Sequence, residues 1–439
     1  MIESLETLVG LMRQGGAQRI YFKRLAPNDN SKNQVYLGGD FSALNIIPHG
    51  SIQTDGNRIA GSVRDRAKAH VAFFWVDETG THIAPNAQLI LYPKYPEVRM
   101  SGFLKGCSKP PKELMASRSP GRVLFLGITV DGKVLGHAAS ANSALASAVS
   151  RIQNLTPVGV FLELPDAAGF SSKERLLSAL RIVHEKQWIR SQKLDRDGQP
   201  QPYDSRNGGG YTLEAELGIR PNGYADPDYL GWEIKQYSVG NFVRYKAKSA
   251  ITLLTPEPTG GIYQEKGFDV FMSRYSYADR NGRQNRQNFG GRYACNGPLN
   301  ANTGLRLALV GYDDANSKIK DIGGGIALLD AAEEVAAFWE FTGIIEHWNR
   351  KHAKAAYVPS MTKQPPLQYR FGAKVALCEG TDLGLFLKAL ATGQIYLDPA
   401  LKRVSNADGT FENKKRNQFR ISHGNLGNMY HATEIVELE

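Results

Sequence analysis

Cysteine is scarce in this chain of 439 residues, which contains only three. Cys107, Cys295 and Cys378 lie far apart and form no CxxC pair, so neither a disulfide framework nor a cysteine zinc site is expected. No apolar run approaches the roughly 20 residues that a membrane-spanning helix needs. The first segment, MIESLETLVGLMRQ, has acids near its start and is typical of an amphipathic helix, not of a secretion signal. The sequence therefore predicts a cytoplasmic protein with no membrane partner.

The balance of charge is basic. Lys and Arg number 53 against 43 Asp and Glu, which gives a formal net charge of +10 and a pI near 9.3. A basic balance favours a polyanionic partner such as nucleic acid. The length predicts two or three domains, and a hydrophobic content of 42% is typical of a globular protein.

The first part of the chain is predicted to be mostly β. Short apolar runs rich in Val, Ile, Phe and Tyr alternate with turn residues, a pattern typical of strands. The runs are IYFKRL (20–25), HVAFFWV (70–76), QLILYP (88–93), RVLFLGITV (122–130) and VGVFLELP (158–165), with one helix expected near 140–153. The run PDAAGFSS (165–172) indicates a linker, which predicts one domain over residues 1–168 and a second over 172–439.

Helices and strands alternate in the second part. Ser171 and Glu174 fit a capping box that opens a helix after the linker. Strands are expected at 305–312 and 373–380, and helices at 329–352 and 381–393. Such interleaving predicts an α/β domain with a central mixed sheet.

The stretch PDYLGWEIKQ (227–236) carries two acids and a lysine close together. Residues two apart on a strand point the same way, so Glu233 and Lys235 share one face. A turn before them can fold Asp228 back toward Glu233. Two close carboxylates repel unless a hard cation lies between them, and Mg²⁺ prefers such oxygen ligands. The pattern predicts a Mg²⁺ site in which Lys235 orients a water or stabilises charge on a phosphate.

The alternative is a surface hairpin with ordinary charges, since the pattern D-x4-E-x-K often arises by chance. However, Leu230, Trp232 and Ile234 predict that the strand is buried. Burial of charged groups is unfavourable unless they are paired, so an acid and a lysine on the other face of a buried strand indicate a specific role. The catalytic interpretation, phosphodiester hydrolysis, is therefore favoured.

The order PD…EIK resembles the PD-(D/E)xK nuclease core. The wider run GGGYTLEAELGIRPNGYADPDYLGWEIKQY (208–237) resembles the MvaI/BcnI restriction endonucleases and the related MutH family. In these families an acid on a helix precedes the strand, and the resemblance assigns that role to Glu214, with Glu216 as its rival. The first metal ligand stays open, because the literal motif gives Asp228 and the longer MutH-like spacing gives Asp226. We favour Asp228.

Two basic segments of the second part have compositions suited to DNA recognition. RYSYADRNGRQNRQNFGGRY (274–293) mixes Arg with Asn and Gln. Arg side chains can bind guanine bidentately, and Asn or Gln side chains can bind adenine in the same way. ENKKRNQFRISHGN (412–425) is a second candidate. The alternative for each is a solvated loop. The candidate DNA-binding residues are Arg280, Arg283, Arg286, Arg292, Lys415 and Arg416.

The segment YFKRLAPNDNSKNQVYLGGDF (21–41) crowds cations and amides into a short loop, which suits a base-reading arm or an ordinary polar hairpin. Together with LILYPKYPEVRMSGF (89–103) it resembles the effector domain of EcoRII-type restriction enzymes, a plant B3-like pseudobarrel with two DNA-binding arms. The likeness spans about 20–105. It assigns DNA binding to Lys23, Arg24, Asn28, Asn30, Lys32, Asn33, Gln34, Tyr95, Arg99 and Ser101.

Together these patterns predict a multi-domain protein, with an N-terminal, mostly-β pseudobarrel and a C-terminal α/β PD-(D/E)xK nuclease domain built on a mixed sheet. The pairing resembles restriction enzymes of the UbaLAI type. It implies a monomeric, Mg²⁺-dependent type II endonuclease that cuts double-stranded DNA at a CC(A/T)GG-like site and binds a second copy through its N-terminal domain, as type IIE enzymes do. A cognate DNA methyltransferase is then expected. The alternatives are a MutH-like strand-specific nickase and a DNA-binding regulator without catalysis.

Overall fold

The computed structural model describes residues 2–60, 62, 65–93, 97–153, 155–165, 169–205, 207–220 and 228–438, with the backbone alone at 156 and 349–351. Two of the candidate site residues, Tyr95 and Asp226, lie outside these ranges. No helix among the described residues is long and apolar enough to cross a membrane.

Two sheets make up most of the N-terminal region. Its strands are β1 (Ala17–Arg24), β2 (Val35–Gly38), β3 (Gln53–Thr54), β4 (Ala67–His70), β5 (Phe73–Asp77), β6 (Gly80–Ile83), β7 (Gln88–Tyr92), β8 (Glu97–Ser101), β9 (Val123–Thr129), β10 (Val134–Ala139), β11 (Thr156–Val158) and β12 (Phe161–Glu163). Its helices are α1 (Leu5–Gln14), α2 (Lys112–Ala116), α3 (Ala144–Arg151) and a 3-10 helix (Phe41–Asn45).

The strand orders are β11-β12-β1-β9-β10-β5-β6 and β2-β8-β7-β4-β3. The region is therefore mostly β, as its alternating apolar runs predict. Strand pairing among the described residues does not close either sheet into a barrel, so the pseudobarrel stays a prediction.

The C-terminal region mixes helices and strands. The helices are α4 (Ser172–Glu185), α5 (Gly208–Glu216), α6 (Ile262–Glu265), α7 (Phe268–Tyr275), α8 (Phe341–His352), α9 (Leu383–Ala391) and a 3-10 helix (His423–Met429). The strands are β13 (Ile189–Arg190), β14 (Gln192–Leu194), β15 (Pro200–Pro202), β16 (Glu233–Ser238), β17 (Ile251–Leu254), β18 (Tyr277–Ala278), β19 (Arg286–Gly290), β20 (Arg306–Val310), β21 (Tyr312–Asp313), β22 (Lys318–Ile319), β23 (Gly325–Leu329), β24 (Val335–Glu340), β25 (Lys354–Lys363), β26 (Gln368–Phe371), β27 (Lys374–Glu379), β28 (Ile395–Leu397), β29 (Ala400–Ser405), β30 (Phe411–Lys414), β31 (Phe419–Ile421) and β32 (Ala432–Glu437).

A mixed sheet lies at the centre of this region, as predicted. β13, β26, β25, β27 and β32 pair antiparallel in that order, and β16 joins β25 in parallel. Helix α4 packs its apolar face on this sheet, with Leu176, Leu180 and Val183 in one core with Trp232 and Ile234. The predicted capping box begins α4, because the Ser171 side chain accepts from the Glu174 amide and the Glu174 side chain accepts from the Ser171 amide. Burial of the α4 face therefore anchors β16 from below.

The helix predicted over 329–352 is wrong in its first half. Only Phe341–His352 is helical, and Val335–Glu340 is a strand that pairs antiparallel with Gly325–Leu329. The Asp330 carboxylate accepts from the amides of Ala332 and Glu334 at 2.9 Å, which closes a turn where the sequence suggested a helix. Pairing with a neighbouring strand outweighed the local helical preference of this alanine-rich run.

The two regions share one apolar core. The 3-10 helix Phe41–Asn45 packs on α8, and Leu44 belongs to the same buried cluster as Ile344 and Leu383. The Asn45 side chain donates to the Thr381 carbonyl at 3.0 Å across this boundary. The N-terminal sheets are therefore packed against the C-terminal region, not tethered by a linker alone.

Candidate active site

A two-residue β-hairpin carries the acids of the candidate site. Tyr229 and Trp232 exchange backbone hydrogen bonds of 2.9 and 2.8 Å across a turn formed by Leu230 and Gly231. Both turn residues have positive φ, 48° and 86°, the combination that a type I′ hairpin requires and that glycine adopts without strain. The bend predicted between Asp228 and Glu233 is therefore present.

The hairpin returns Asp228 to the start of β16. The Asp228 carboxylate accepts the Ile234 amide at 2.9 Å, so its oxygens lie beside the strand that begins at Glu233. Lys235 donates to Glu233 Oε1 at 2.6 Å, as expected for residues two apart on one face. The Glu233 side chain is 4% exposed and that of Lys235 is 23% exposed, so this ion pair is largely shielded from solvent.

Burial and like charge act together on the acids. The pKa of Asp228 is raised to about 7, mainly by burial and then by repulsion from Glu233 and Glu214. The hydrogen bond from the Ile234 amide and the positive charge of Lys235 lower this pKa, but by less. Burial alone would lower the pKa of Lys235, but the attraction of Glu233, Asp228 and Glu214 outweighs it and holds that pKa above its ordinary value. The site concentrates negative charge around one ammonium group.

Helix α5 brings Glu214 to this cluster. Its glycine-rich entry allows close packing, because a β-carbon at Gly209 would lie 2.9 Å from the Gln236 side chain of β16. Glu214 acts electrostatically on both Asp228 and Lys235. Its rival Glu216 accepts hydrogen bonds from Lys186 and Gln192. This geometry favours Glu214 over Glu216 as the helix acid.

The donor set fits a divalent cation. Asp228 and Glu233 supply carboxylate oxygens, the hard ligands that Mg²⁺ prefers. A cation between them would relieve the repulsion that raises the pKa of Asp228. Asp226 lies outside the described residues, so its competition with Asp228 as a ligand stays open.

Both basic segments predicted to read DNA contribute to one four-stranded sheet. Strands β18, β19, β29 and β30 pair in that order, so Arg286 on β19 and Lys414 on β30 belong to the same surface. Arg280 and Arg283 are exposed in the loop between β18 and β19. The structure therefore unites two segments that lie more than a hundred residues apart.

Lys402 on β29 was missed by the sequence interpretation. It pairs with Asn288 on one side and with Lys414 on the other. Repulsion, first by Arg286 and also by Lys414 and Arg283, lowers the pKa of Lys402. The alternating pattern of β29, ALKRVS, is enough to predict that Lys402 lies on one face of a strand. It does not predict that this strand pairs with β19, which brings Lys402 close to Arg286.

The remaining predicted cations of this region lie near aromatic rings. Arg292 stacks over the ring of Tyr396 at 4.0 Å. Lys415 lies 5.1 Å from the ring centre of Phe268, and Arg416 is exposed beside it. In these contacts the charged groups of Arg292 and Lys415 themselves lie over the rings.

The N-terminal arm contains two residues that brace it from inside. Lys23 is 8% exposed and hydrogen-bonds Asp29, while Asn30 is 1% exposed and caps the loop by accepting the amides of Lys32 and Asn33. The exposed members of the predicted arm are Arg24, Asn28, Lys32 and Asn33, with Gln34 half-buried. Arg24 also donates to Ser150 Oγ at 3.0 Å.

The second predicted arm is described only in part. Arg99 on β8 pairs with Glu97 at 2.9 Å, and Ser101 lines a polar cleft of about 850 Å³ together with Lys68 and Lys105. Tyr95 lies outside the described residues, so its role stays a prediction.

A separate acidic group lies where the two regions meet. Oxygen and nitrogen atoms of Asp40, Asp382 and His431 lie within 4.8 Å of one another. Asp40 and Asp382 accept the amides of Ser42 and Leu385, so both act as caps of the helices that follow them. Capping accounts for the two carboxylates, and we assign this group no further role.

The sequence matches the MvaI/BcnI restriction endonuclease family over residues 177–430, more than half of the chain. No curated protein matches it. Similar solved structures include restriction endonuclease MvaI bound to its cognate DNA substrate, with a TM-score of 0.45 and 16% identity over 62% of this chain and 99% of that one. MvaI in the absence of DNA gives a TM-score of 0.34 and 15% identity over 61% and 98%.

In metal-free protein, Asp228→Asn is expected to raise the melting temperature at pH 8 by a few degrees. The ordinary pKa of Asp is about 4. With a folded pKa of about 7, Asp228 makes the folded state less stable as the pH rises from about 4 to about 7. The side-chain carbonyl oxygen of the introduced asparagine can still accept the Ile234 backbone N–H, but the side chain carries no charge. Melting curves in EDTA should show a larger gain at pH 8 than at pH 5.

The matched control is Asp195→Asn. Backbone amides hold the pKa of Asp195 below its ordinary value, so removal of this charge should give no gain at either pH. An Asp228→Asn protein no more stable than wild type at pH 8 would show that the carboxylates do not repel.

Proposed function

Because this chain belongs to the MvaI/BcnI restriction endonuclease family, and is therefore a type II site-specific deoxyribonuclease, we propose that it hydrolyses DNA with Mg²⁺ at the hairpin that carries Asp228, Glu233 and Lys235. The observation that carries this assignment is the approach of Asp228 to Glu233 beside the Lys235 ammonium group. By family likeness the target is a CC(A/T)GG-like site.

The side chains divide the work of hydrolysis. A water oxygen bonds to phosphorus, one bridging P–O bond breaks, and the leaving oxygen gains a proton. Asp228 and Glu233 would hold the metal, and a bound Mg²⁺ would supply Lewis-acid polarisation of the phosphate and of the attacking water. Asp226 is the alternative ligand, and Glu214 assists from α5.

Lys235 acts as a cation and not as a base. Its neighbouring carboxylates raise its pKa, so it keeps its proton at neutral pH. A protonated ammonium group can donate to the water or to a phosphate oxygen and balance the charge that develops there. Proton removal from the water therefore falls to another acceptor.

Glu233→Gln and Lys235→Met are each expected to slow cleavage of a supercoiled plasmid in Mg²⁺ by about 10²- to 10³-fold or more, since each removes a charged group from the reacting centre. Gel electrophoresis of timed digests measures the rate. The matched control is Glu185→Gln, an exposed acid of α4, which should cut like wild type.

The product distinguishes the alternatives. A monomer that cuts one strand and then rebinds to cut the other ends with linear DNA, whereas a strand-specific nickase stops at nicked circles. Undiminished cutting by Glu233→Gln would rule out this catalytic site. No cutting by wild type with any divalent cation would leave a DNA-binding regulator.

We propose that the sheet β18-β19-β29-β30 is a DNA interface of the C-terminal region. Arg283, Arg286, Lys402 and Lys414 outnumber the acids beside them, which are Asp279 next to Arg286 and Glu412 next to Lys414. Repulsion, first by Arg286, lowers the pKa of Lys402. The phosphates of a DNA duplex would supply the negative charge that balances these cations, and counterions would be released on binding. Arg280, Arg292, Lys415 and Arg416 extend the same basic surface.

Arg283→Ala and Lys402→Ala are each expected to weaken DNA binding and to reduce the slope of log affinity against log salt by about 0.9, the value for one lost phosphate contact. Titrations at several NaCl concentrations, in a Glu233→Gln background and without a divalent cation so that the DNA stays intact, measure this slope. Lys388→Ala, an exposed cation of α9, should leave it unchanged. Wild-type slopes in the first two variants would exclude this sheet.

We propose that the N-terminal region binds a second copy of the site, as in type IIE enzymes. Exposed Asn28, Lys32 and Asn33 form the tip of the first arm, and Lys23 and Asn30 brace it from inside. Arg99, Ser101 and the neighbouring cleft belong to the second arm. An enzyme that cuts short sites needs its own genome protected, so a cognate methyltransferase in the same cytoplasm is part of this proposal.

A plasmid with two sites is expected to be cut about 5-fold faster or more than a plasmid with one, the size of a typical coupling between binding sites. A short duplex with the site, added in trans, should accelerate the one-site plasmid. Lys32→Ala with Asn33→Ala should abolish both effects, and Lys133→Ala on the β9–β10 turn should preserve them. Equal rates on the two plasmids would contradict a second binding site.

A further inference from the structure

A polar network crosses from the N-terminal sheet to the catalytic hairpin. We call it the seam network, and its members are Arg19, Tyr21, Glu163 and Lys354. Tyr21 and Glu163 are cross-strand neighbours on β1 and β12, and Lys354 begins β25 of the catalytic sheet. The network therefore joins the two regions through three buried side chains, Tyr21, Glu163 and Lys354, and the partly exposed Arg19.

The ion pair between Glu163 and Lys354 is buried. Lys354 Nζ lies 3.0 Å from Glu163 Oε2, and the two side chains are 4% and 8% exposed. The ammonium group also lies 5.6 Å from the ring centre of Trp232. Trp232 directly precedes Glu233, and Ala355, the neighbour of Lys354, pairs with Glu233 across the sheet. The position of the Lys354 side chain is thus coupled to that of the first residue of β16.

A second contact reaches the turn of the hairpin. Arg19 donates to the Tyr21 hydroxyl at 2.9 Å, which holds its guanidinium group in place. A β-carbon built on Gly231 would lie 2.0 Å from Arg19 Nη1, so the group packs tightly against the turn. The N-terminal sheet therefore contacts Gly231 directly through Arg19 and reaches Trp232 indirectly, through the ion pair of Glu163 with Lys354. Gly231 and Trp232 both lie between the two candidate metal ligands.

We infer that Arg19, Glu163 and Lys354 are positioning residues, which fix the separation of Asp228 and Glu233 by holding the hairpin against the N-terminal sheet. This inference rests on the proposed catalytic site. None of the three residues belongs to the proposed metal ligands or to the proposed DNA-binding surfaces. A buried ion pair tolerates little displacement, because either charge alone in the interior is strongly unfavourable.

Glu163→Gln is expected to lower kcat on a duplex with the cleavage site by about 10- to 100-fold, the effect of a displacement near 1 Å at a reacting centre. The KM for DNA should stay within about twofold, since the DNA-binding surface is unchanged. Without its partner, Lys354 is left with Glu379 at 3.9 Å and moves away from Trp232. Hydrogen exchange of a peptide over residues 228–236 should become faster, which measures the hairpin without any cleavage.

The matched control is Asp321→Asn. Asp321 pairs with Arg58 at 2.6 Å and so also joins the two regions, but it makes no contact with the hairpin in the described structure. Its kcat and hairpin exchange should match wild type. If Asp321→Asn and Glu163→Gln lower kcat and speed up hairpin exchange equally, activity depends on docking of the two regions in general and not on the seam network. That result would overturn the inference.

Two further variants keep the test decisive. Arg19→Met changes a partly exposed residue and leaves no lone charge in the interior, so it spares the fold, and it should lower kcat with the same unchanged KM. The double variant Glu163→Gln with Lys354→Met leaves no lone charge and should be less impaired than the sum of its single variants. Simple additivity, or wild-type kcat in Arg19→Met, would refute the inference. If wild type itself does not cut DNA, the proposed function fails, and hydrogen exchange still tests the seam network.

Discussion

Mutual repulsion of two carboxylates is the constraint around which the C-terminal region is organised. A two-residue turn leaves no room for Asp228 to avoid Glu233, and burial denies both acids the screening of water. A folded protein keeps such an arrangement only when its surroundings enforce it. A divalent cation between the two carboxylates would remove this repulsion.

The surroundings enforce this arrangement from three directions. Helix α4 buries Trp232 and Ile234 from below, so the strand cannot rotate to release Glu233. Parallel pairing with β25 fixes the register of β16 over its whole length. Close packing of Gly209 on Gln236 presses α5 against the same strand, which adds the charge of Glu214. Each support acts on the backbone or the apolar side chains and leaves the polar face open to a substrate.

Local features could be read from the sequence, and contacts between distant segments could not. The capping box at Ser171, the bend after Asp228 and the shared face of Glu233 and Lys235 all depend on residues within a few positions of one another. The strand Val335–Glu340 was taken for helix because its pairing with Gly325–Leu329 decides its conformation. Alanine-rich composition indicates a helix only where no neighbouring strand competes for the backbone groups.

The same limit applies to the candidate DNA contacts. Composition selects Lys23 and Asn30 as readily as Lys32 and Asn33, although the first pair is buried within the loop. It also overlooks Lys402, whose importance comes from neighbours on two other strands. The density of charge on a sheet depends on which strands lie side by side. The pattern of residues within one segment does not give this order of strands.

Strand β1 gives the N-terminal region a direct mechanical relation to the hairpin. Arg19 lies near one end of this strand and Lys23, at the base of the first arm, lies four residues further, about 13 Å along an extended chain. β1 is hydrogen-bonded on both sides, to β9 and to β12, so it moves as part of a sheet and not as a separate segment. A sheet strand transmits displacement with little loss, because packed interiors are barely compressible. The contact of Arg19 with Gly231 and the base of the segment 21–41 at Lys23 therefore belong to one hydrogen-bonded strand, so a displacement at either end of β1 bears on the other.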